Sequence, residues 1–222
     1  MEASKVIDTH ITTATQLDMD ESGSPVNQTM YRGIIGSLFY LTASRPDILF
    51  SVGLCAMFQL NPKESHLKAA KRILRYLKGT QVLVLYYPSG DNFNLIWYAD
   101  NDYAGYLVDM KSTSGMAHFL GSCLISWGIR KQNSMALSTA EAEYVAVASC
   151  CAALNMAKNP MQQKKIKHID ARHHFLRDNV EKGLICMEFC STKDQIADIF
   201  TKALSREYFE RNRLDVGLIK PN

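Results

Sequence analysis

A chain of 222 residues is about one and a half usual domains, which leaves room for one large unit or a small and a medium one and excludes a big multidomain enzyme. Hydrophobic residues make up 47% and charged residues 21%, with only 12 Gly and 6 Pro, so a buried core is expected and a low-complexity or collagen-like polymer is excluded. The net charge of +3 is unevenly spread: residues 1–60 sum to −3, whereas Asn61–Thr80 carries +5 and Met161–Arg177 carries +4.

Two concentrated basic segments in a nearly neutral chain are what a surface that tracks phosphates would look like, and equally what two solvated helix faces would look like. The charge-free stretches are too short or too interrupted by polar residues to cross a membrane. The acidic N-terminus is unlike an Arg-rich transit peptide, so an intracellular protein, in cytoplasm or nucleus and with no targeting signal, is expected. The six cysteines lack both a disulfide-framework spacing and the paired spacing of a zinc site, so reduced thiols are expected.

In chain order, residues 1–30 read as an extended lead-in. Tyr31–Leu41 and Pro46–Leu60 are dense in apolar residues and predict two buried helices, with Phe39, Tyr40, Phe50 and Phe58 read as core. Pro62 opens a third helix, whose stripe of Leu67, Ala70, Ile73, Leu74 and Leu77 has helical spacing and which Gly79 closes. From Val82 the pattern changes to short apolar runs. These predict strands at Val82–Tyr87, Leu95–Asp100, Gly115–Leu120 and Cys123–Ile129, the last two joined by a Gly121-Ser122 turn. Ser138-Thr139-Ala140-Glu141 is a capping box for a long Ala- and Val-rich helix. A strand at Leu184–Cys190, a capped helix from Asp194 to Leu204 and a last helix over Arg206–Val216 complete the pattern. The chain is thus expected to be α/β, a helical unit followed by a strand-and-helix unit.

Three acids stand out. Asp100 ends an apolar strand, Glu143 lies in the first turns of a helix, and Asp198 sits inside a later one. Each taken alone could equally be a surface or capping residue. Three carboxylates on three rigid elements can, however, converge on divalent ions for phosphodiester hydrolysis. Glu141 and Asp194 are better explained as helix-terminal residues. His168, His173 and His174 with Cys186 or Cys190 match no metal-ligand spacing.

The strings YADNDYAG (98–105), KSTSG (111–115), STAEAEYVA (138–146), KHIDARHHF (167–175) and DQIADIFTKAL (194–204) closely resemble the ribonuclease H domain of copia-type retrotransposon Pol polyproteins. Upstream, YRGIIGSLFYLTASRPDILFSV and HLKAAKRILRYLKGT look like the reverse transcriptase thumb and connection region of the same proteins. The resemblance runs in order from about residue 31 to the C-terminus. It implies a helical thumb/connection remnant over 31–88, a truncated ribonuclease H-like domain over 89–205, and a C-terminal helix and tail over 206–222. It also implies cleavage of the RNA strand of RNA/DNA hybrids with two Mg²⁺ ions, Asp100, Glu143 and Asp198 being catalytic residues and metal ligands.

The sequence departs from that family in one respect. The resemblance calls for a further catalytic aspartate at the end of a fourth strand, before a stretch like Ala153–Pro160. Here the helix runs through Cys150-Cys151 directly into that stretch, and roughly two dozen expected residues are missing. The fold expected is therefore a ribonuclease H-like mixed sheet lacking its fourth strand, with Asp170 and Asp178 the nearby acids that could substitute. One metal loses a ligand, so nuclease activity is expected to be weak or lost. The alternatives are a catalytically inactive nucleic-acid-binding remnant and an inert relic. Binding to an RNA/DNA hybrid or other duplex would fall to Lys68, Lys71, Arg72, Arg75, Lys78, Lys164, Lys165 and Lys167; other Pol chains are possible partners, and a membrane is not. With no Asp-Asp pair in the chain, no polymerase activity is expected.

Overall fold

A computed structural model of the chain describes residues 5–89, 92–158 and 176–221. Asn27 caps the first helix, α1 (Gln28–Leu41), by accepting the Met30 N–H at 2.8 Å. Tyr31, Ile35 and Leu38, spaced one turn apart, are its buried face. The expectation of a helix buried all round is corrected: that single stripe turns Phe39 and Tyr40 outward, the latter 84% exposed. Phe58 is in the core as expected. Pro46–Ile48 forms a 3-10 turn leading into α2 (Leu49–Ala56), and the Tyr31 hydroxyl donates to the Cys55 carbonyl at 2.8 Å to join α1 to α2.

α3 (Glu64–Gly79) starts two residues after Pro62, where the His66 ring accepts the Lys63 N–H at 2.9 Å. The lead-in before α1 is mostly without regular secondary structure and runs antiparallel along this helix. Val6 lies against Gly79, the Thr9 hydroxyl accepts from Arg72 at 2.9 Å, the His10 ring meets Tyr76, and the Asp20 carboxylate accepts from Ser65 at 2.6 Å. An acidic segment has settled along a basic helix, as opposite charges favour.

Beneath the helices, fully buried Asp47 accepts from Arg45 at 2.9 and 2.7 Å and from the Tyr76 hydroxyl at 2.5 Å. This arrangement satisfies both charges where water cannot.

The strands β2 (Leu95–Tyr106), β3 (Lys111–Leu120) and β4 (Cys123–Lys131) form an antiparallel sheet in the order β2-β3-β4. Among the described residues the main sheet is antiparallel rather than mixed, because these strands follow one another through short connections that allow only antiparallel pairing. Gly121, with φ of +60°, makes the turn between β3 and β4. β2 is longer than its apolar run suggested: after a bulge between Asp102 and Tyr106 it regains register at Tyr106↔Lys111. The polar half of the YADNDYAG string, beyond the expected strand end at Asp100, is also strand.

Two expected strands are corrected. Val82–Tyr87 shrinks to β1 (Val84–Leu85), which pairs outside the main sheet with β5 (Leu218–Ile219), a strand not foreseen. Leu184–Cys190 is not a strand; Leu184, Met187 and Phe189 are exposed and none of the described residues offers a ladder. Among the described residues β2 is therefore an edge strand of the main sheet.

α4 (Thr139–Lys158) covers one face of the sheet with Ala142, Ala146, Ala148 and Cys150 buried. Ser138 accepts the Glu141 N–H at 3.1 Å, and Glu141 reaches back to the Leu137 N–H at 2.7 Å, one residue beyond the expected partner. Residues 176–181 are helical (α5). The helix expected from Asp194 to Leu204 is corrected to a five-residue 3-10 segment, Ile196–Phe200, which packs on the other face of the sheet. α6 (Arg206–Asp215) ends the helical elements close to expectation. One apolar core joins Tyr31, Ile35 and Ile73 of the helices to Phe119 and Leu124 of the sheet and to Phe200 and Phe209. The Trp127 indole N–H donates to the Thr42 carbonyl at 3.0 Å across that junction. None of the helices described is long and apolar enough to cross a membrane.

Candidate functional site

Successive side chains of β2 alternate between the two faces of the sheet. Asn101 points toward α4, where its carbonyl oxygen accepts from Gln132 at 3.1 Å, and the same amide nitrogen also reaches the Ala142 carbonyl. Asp100 therefore points the other way, toward the 3-10 segment Ile196–Phe200, and it is buried with 6% exposure.

That segment reaches so close to the sheet because Gly115, opposite Asp100 on β3, has no side chain. A Cβ at 115 would stand 2.6 Å from Thr201 Cγ2, 3.0 Å from Phe200 Cβ and 3.1 Å from the Ala197 carbonyl oxygen. Gln195 secures the approach by donating to the edge carbonyl of Ala99 at 3.1 Å while accepting the Ala197 N–H at 3.3 Å.

Asp198 is brought beside Asp100 in this way, also buried. The Thr201 hydroxyl donates to Asp100 Oδ2. Lys202 Nζ lies 3.2 Å from Asp100 Oδ2 and 2.9 Å from Asp198 Oδ1, bridging the two carboxylates. Burial alone would lower the Lys202 pKa, but the two aspartates outweigh it and raise it. Burial and then the Asp100 charge raise the Asp198 pKa against the pull of Lys202.

Glu143 comes from α4, on the opposite face, and because β2 is a sheet edge, groups from the two faces can approach each other around it. Loss of water around its carboxyl, followed by the charges of Asp100 and Asp198, pushes the Glu143 pKa up to about 7, with Lys202 pulling the other way. The residue nonetheless stays largely open to solvent.

Of the three acids singled out in the sequence, Asp100 and Asp198 are thus brought together against Lys202, and Glu143 is near enough to feel both their charges. The sequence reading missed Thr201 and Lys202, although both stand in the quoted string DQIADIFTKAL and Lys202 follows Asp198 by four residues, the spacing of a helical ion pair. It also missed Asp102, which shares the Asp100 face and feels both Lys202 and Asp100. Asp178 is exposed on α5 and is not among the groups that perturb Glu143 or Asp198. Asp170 lies outside the described residues. Asp194, expected in a first helical turn, instead accepts from Ser191 at 2.7 Å and pairs with Arg211.

Carboxylate oxygens are the donors a hard divalent cation prefers. The Asp100–Asp198 seat already accommodates one positive charge, that of Lys202. No group of three or more ligating side chains surrounds a common point among the described residues. The donor chemistry fits one cation between Asp100 and Asp198 with Glu143 beside it, and falls short of the ligand set of a two-ion centre.

The basic residues are less uniform than their sequence. Lys68 and Lys71 are exposed, Lys68 pairing with Glu64 at 3.3 Å. Arg72, Arg75 and Lys78 are partly buried, and Arg72 is turned onto the lead-in. Lys164, Lys165 and Lys167 lie outside the described residues, as do His168, His173 and His174.

No family profile matches the chain, and no solved structure does. Curated proteins do. The retrovirus-related Pol polyprotein from transposon RE1 of Arabidopsis thaliana is 34% identical, with 99% of this chain aligned. The corresponding polyprotein from transposon TNT 1-94 of Nicotiana tabacum is 33% identical, with 90% of this chain aligned. The chain belongs to the transposon Pol polyproteins.

This Pol chain spans 17% of the length of each of those two relatives. It is also 31% identical to an uncharacterized mitochondrial protein of Arabidopsis thaliana, AtMg00240, over 44% of this chain and 96% of that protein. The alignment with the RE1 polyprotein covers 248 positions, more than the 222 residues present here, so that relative carries residues without a counterpart.

Proposed function

We propose that this Pol chain is a truncated ribonuclease H-like unit, preceded by a helical thumb/connection remnant, that binds RNA/DNA hybrid and has weak or no hydrolytic activity. The observation that carries the reading is the buried pair Asp100 and Asp198, from a strand and a 3-10 segment, gathered on one positive charge, with Glu143 of the helix near enough to feel both. Carboxylates crowd in this way, against their mutual repulsion, where a cation is to be held.

The cofactor of this reading is Mg²⁺. When bound, it supplies Lewis-acid stabilisation of a phosphodiester under attack. Asp100 and Asp198 hold and orient it, with Thr201 fixing the Asp100 carboxylate. Glu143, with its raised pKa, exchanges a proton near neutral pH. Weak or lost activity is supported by the β2 edge and the ligand set, which among the described residues stay open and incomplete. Duplex binding falls to the exposed lysines of α3, Lys68 and Lys71, with half-buried Lys78 beside them, and to Lys164, Lys165 and Lys167.

The test is cleavage of a labelled RNA/DNA hybrid in Mg²⁺ or Mn²⁺, with Asp100→Asn prepared alongside. Slow cleavage that Asp100→Asn abolishes is the expected result for a residual enzyme; cleavage that survives the substitution would sink the site assignment. The second reading, binding without hydrolysis, is favoured by the Lys202 ammonium lying between the two aspartates. It predicts no cleavage but a duplex affinity that falls with salt, at a log–log slope of about −0.9 per phosphate contacted. A flat salt dependence would end it.

A further inference from the structure

Lys202 is the feature the carboxylate reading does not absorb. Its ammonium stands within 3.2 Å of one aspartate and 2.9 Å of the other, where an oxygen-ligated cation would sit. It is also partly exposed, with 35% of its side chain open, so it is not locked in place by burial.

Beside it lies a cavity of about 280 Å³, walled by Leu17, Leu54, Met57 and Ile129. Asp102 and Lys202 are the charged residues of its lining. Asp102 follows Asp100 by two residues on the same strand face, about 7 Å along β2, within the sweep of a lysine side chain. An alternative carboxylate and the space to reach it therefore adjoin the seat.

We propose that Lys202 is a tethered counter-ion that holds the seat between Asp100 and Asp198 and yields it to a divalent cation by swinging to Asp102. The inference rests on the cation-site reading given above. A like charge inside the seat opposes an incoming ion, so this chain binds divalent metal weakly unless the lysine moves.

The test is Mn²⁺ binding to the full chain by titration calorimetry, with the Mn²⁺-induced rise in unfolding midpoint as a second readout. Lys202→Met is expected to tighten Mn²⁺ about tenfold or more and to enlarge the midpoint rise, whereas Lys202→Arg, which keeps the charge, stays within about threefold of the parent. Asp102→Asn removes the alternative partner and weakens binding. Should Lys202→Met not fold, Lys202→Gln answers the same question while keeping a polar head.

A folded Lys202→Met protein that binds Mn²⁺ no better than the parent overturns the counter-ion and leaves the cation site standing. Absence of Mn²⁺ binding in parent and folded variant alike overturns both.

Discussion

Replacing Gly115 with alanine tests the tight seating of the 3-10 segment on the sheet. The new Cβ would meet Thr201 Cγ2 at 2.6 Å, Phe200 Cβ at 3.0 Å and the Ala197 carbonyl at 3.1 Å. Carbon atoms rest about 3.5–4.0 Å apart, so the segment must retreat by about 1 Å. Overpacking of this kind costs about 1–3 kcal/mol, partly offset by about 0.5–1 kcal/mol from replacing a strand glycine. A net loss of about 1–2 kcal/mol is expected. Gly128 on β4 is the internal control, since a Cβ there has nothing nearer than Met116 Cγ at 3.7 Å. Gly128→Ala should be neutral or stabilise by about 0.5 kcal/mol. Urea unfolding of the two variants beside the parent measures the difference, expected near about 2 kcal/mol, or about 4–8 °C in melting temperature for a chain of this size. If the two variants unfold within about 0.5 kcal/mol of each other, the close approach of Thr201 and Phe200 to β3 is wrong.

Removing the Asp47 carboxylate with Asp47→Ala leaves Arg45 buried without its partner and the Tyr76 hydroxyl without its acceptor. A loss of about 3–5 kcal/mol in urea unfolding is expected, and one below about 1 kcal/mol would show that this network is open to water. Glu143 has a folded-state pKa raised from 4.5 to about 7, so its contribution to stability is fully present below 4.5 and is lost as pH rises through about 7. The full shift would be worth about 3 kcal/mol, but exposure of the side chain screens it to about 1 kcal/mol. Glu143→Gln should therefore gain stability over the parent by about that amount at pH 8 and by nearly nothing at pH 4, and an equal gain at both would contradict the crowding of the three acids.

Much of the molecule was readable one residue at a time. Helical spacing of Leu67, Ala70 and Ile73, the turn at Gly121-Ser122 and the Ser138 cap depend on neighbours a few residues away, and each appears close to where the pattern put it. Asp100 and Asp198 were legible for a related reason: each stands next to a run of apolar residues, where a charge needs a partner. Long-range pairing was not legible. Leu184–Cys190 has a strand composition but has no partner edge among the described residues, whereas polar Asn101–Tyr106 became strand because Lys111–Ser114 lies opposite it. Local pattern therefore decided most of the helices, though not the short 3-10 form of Ile196–Phe200. Tertiary contact decided that β2 is an edge, that the lead-in lies along α3, and that Lys202 stands between Asp100 and Asp198, because those outcomes depend on residues distant in the chain meeting in space.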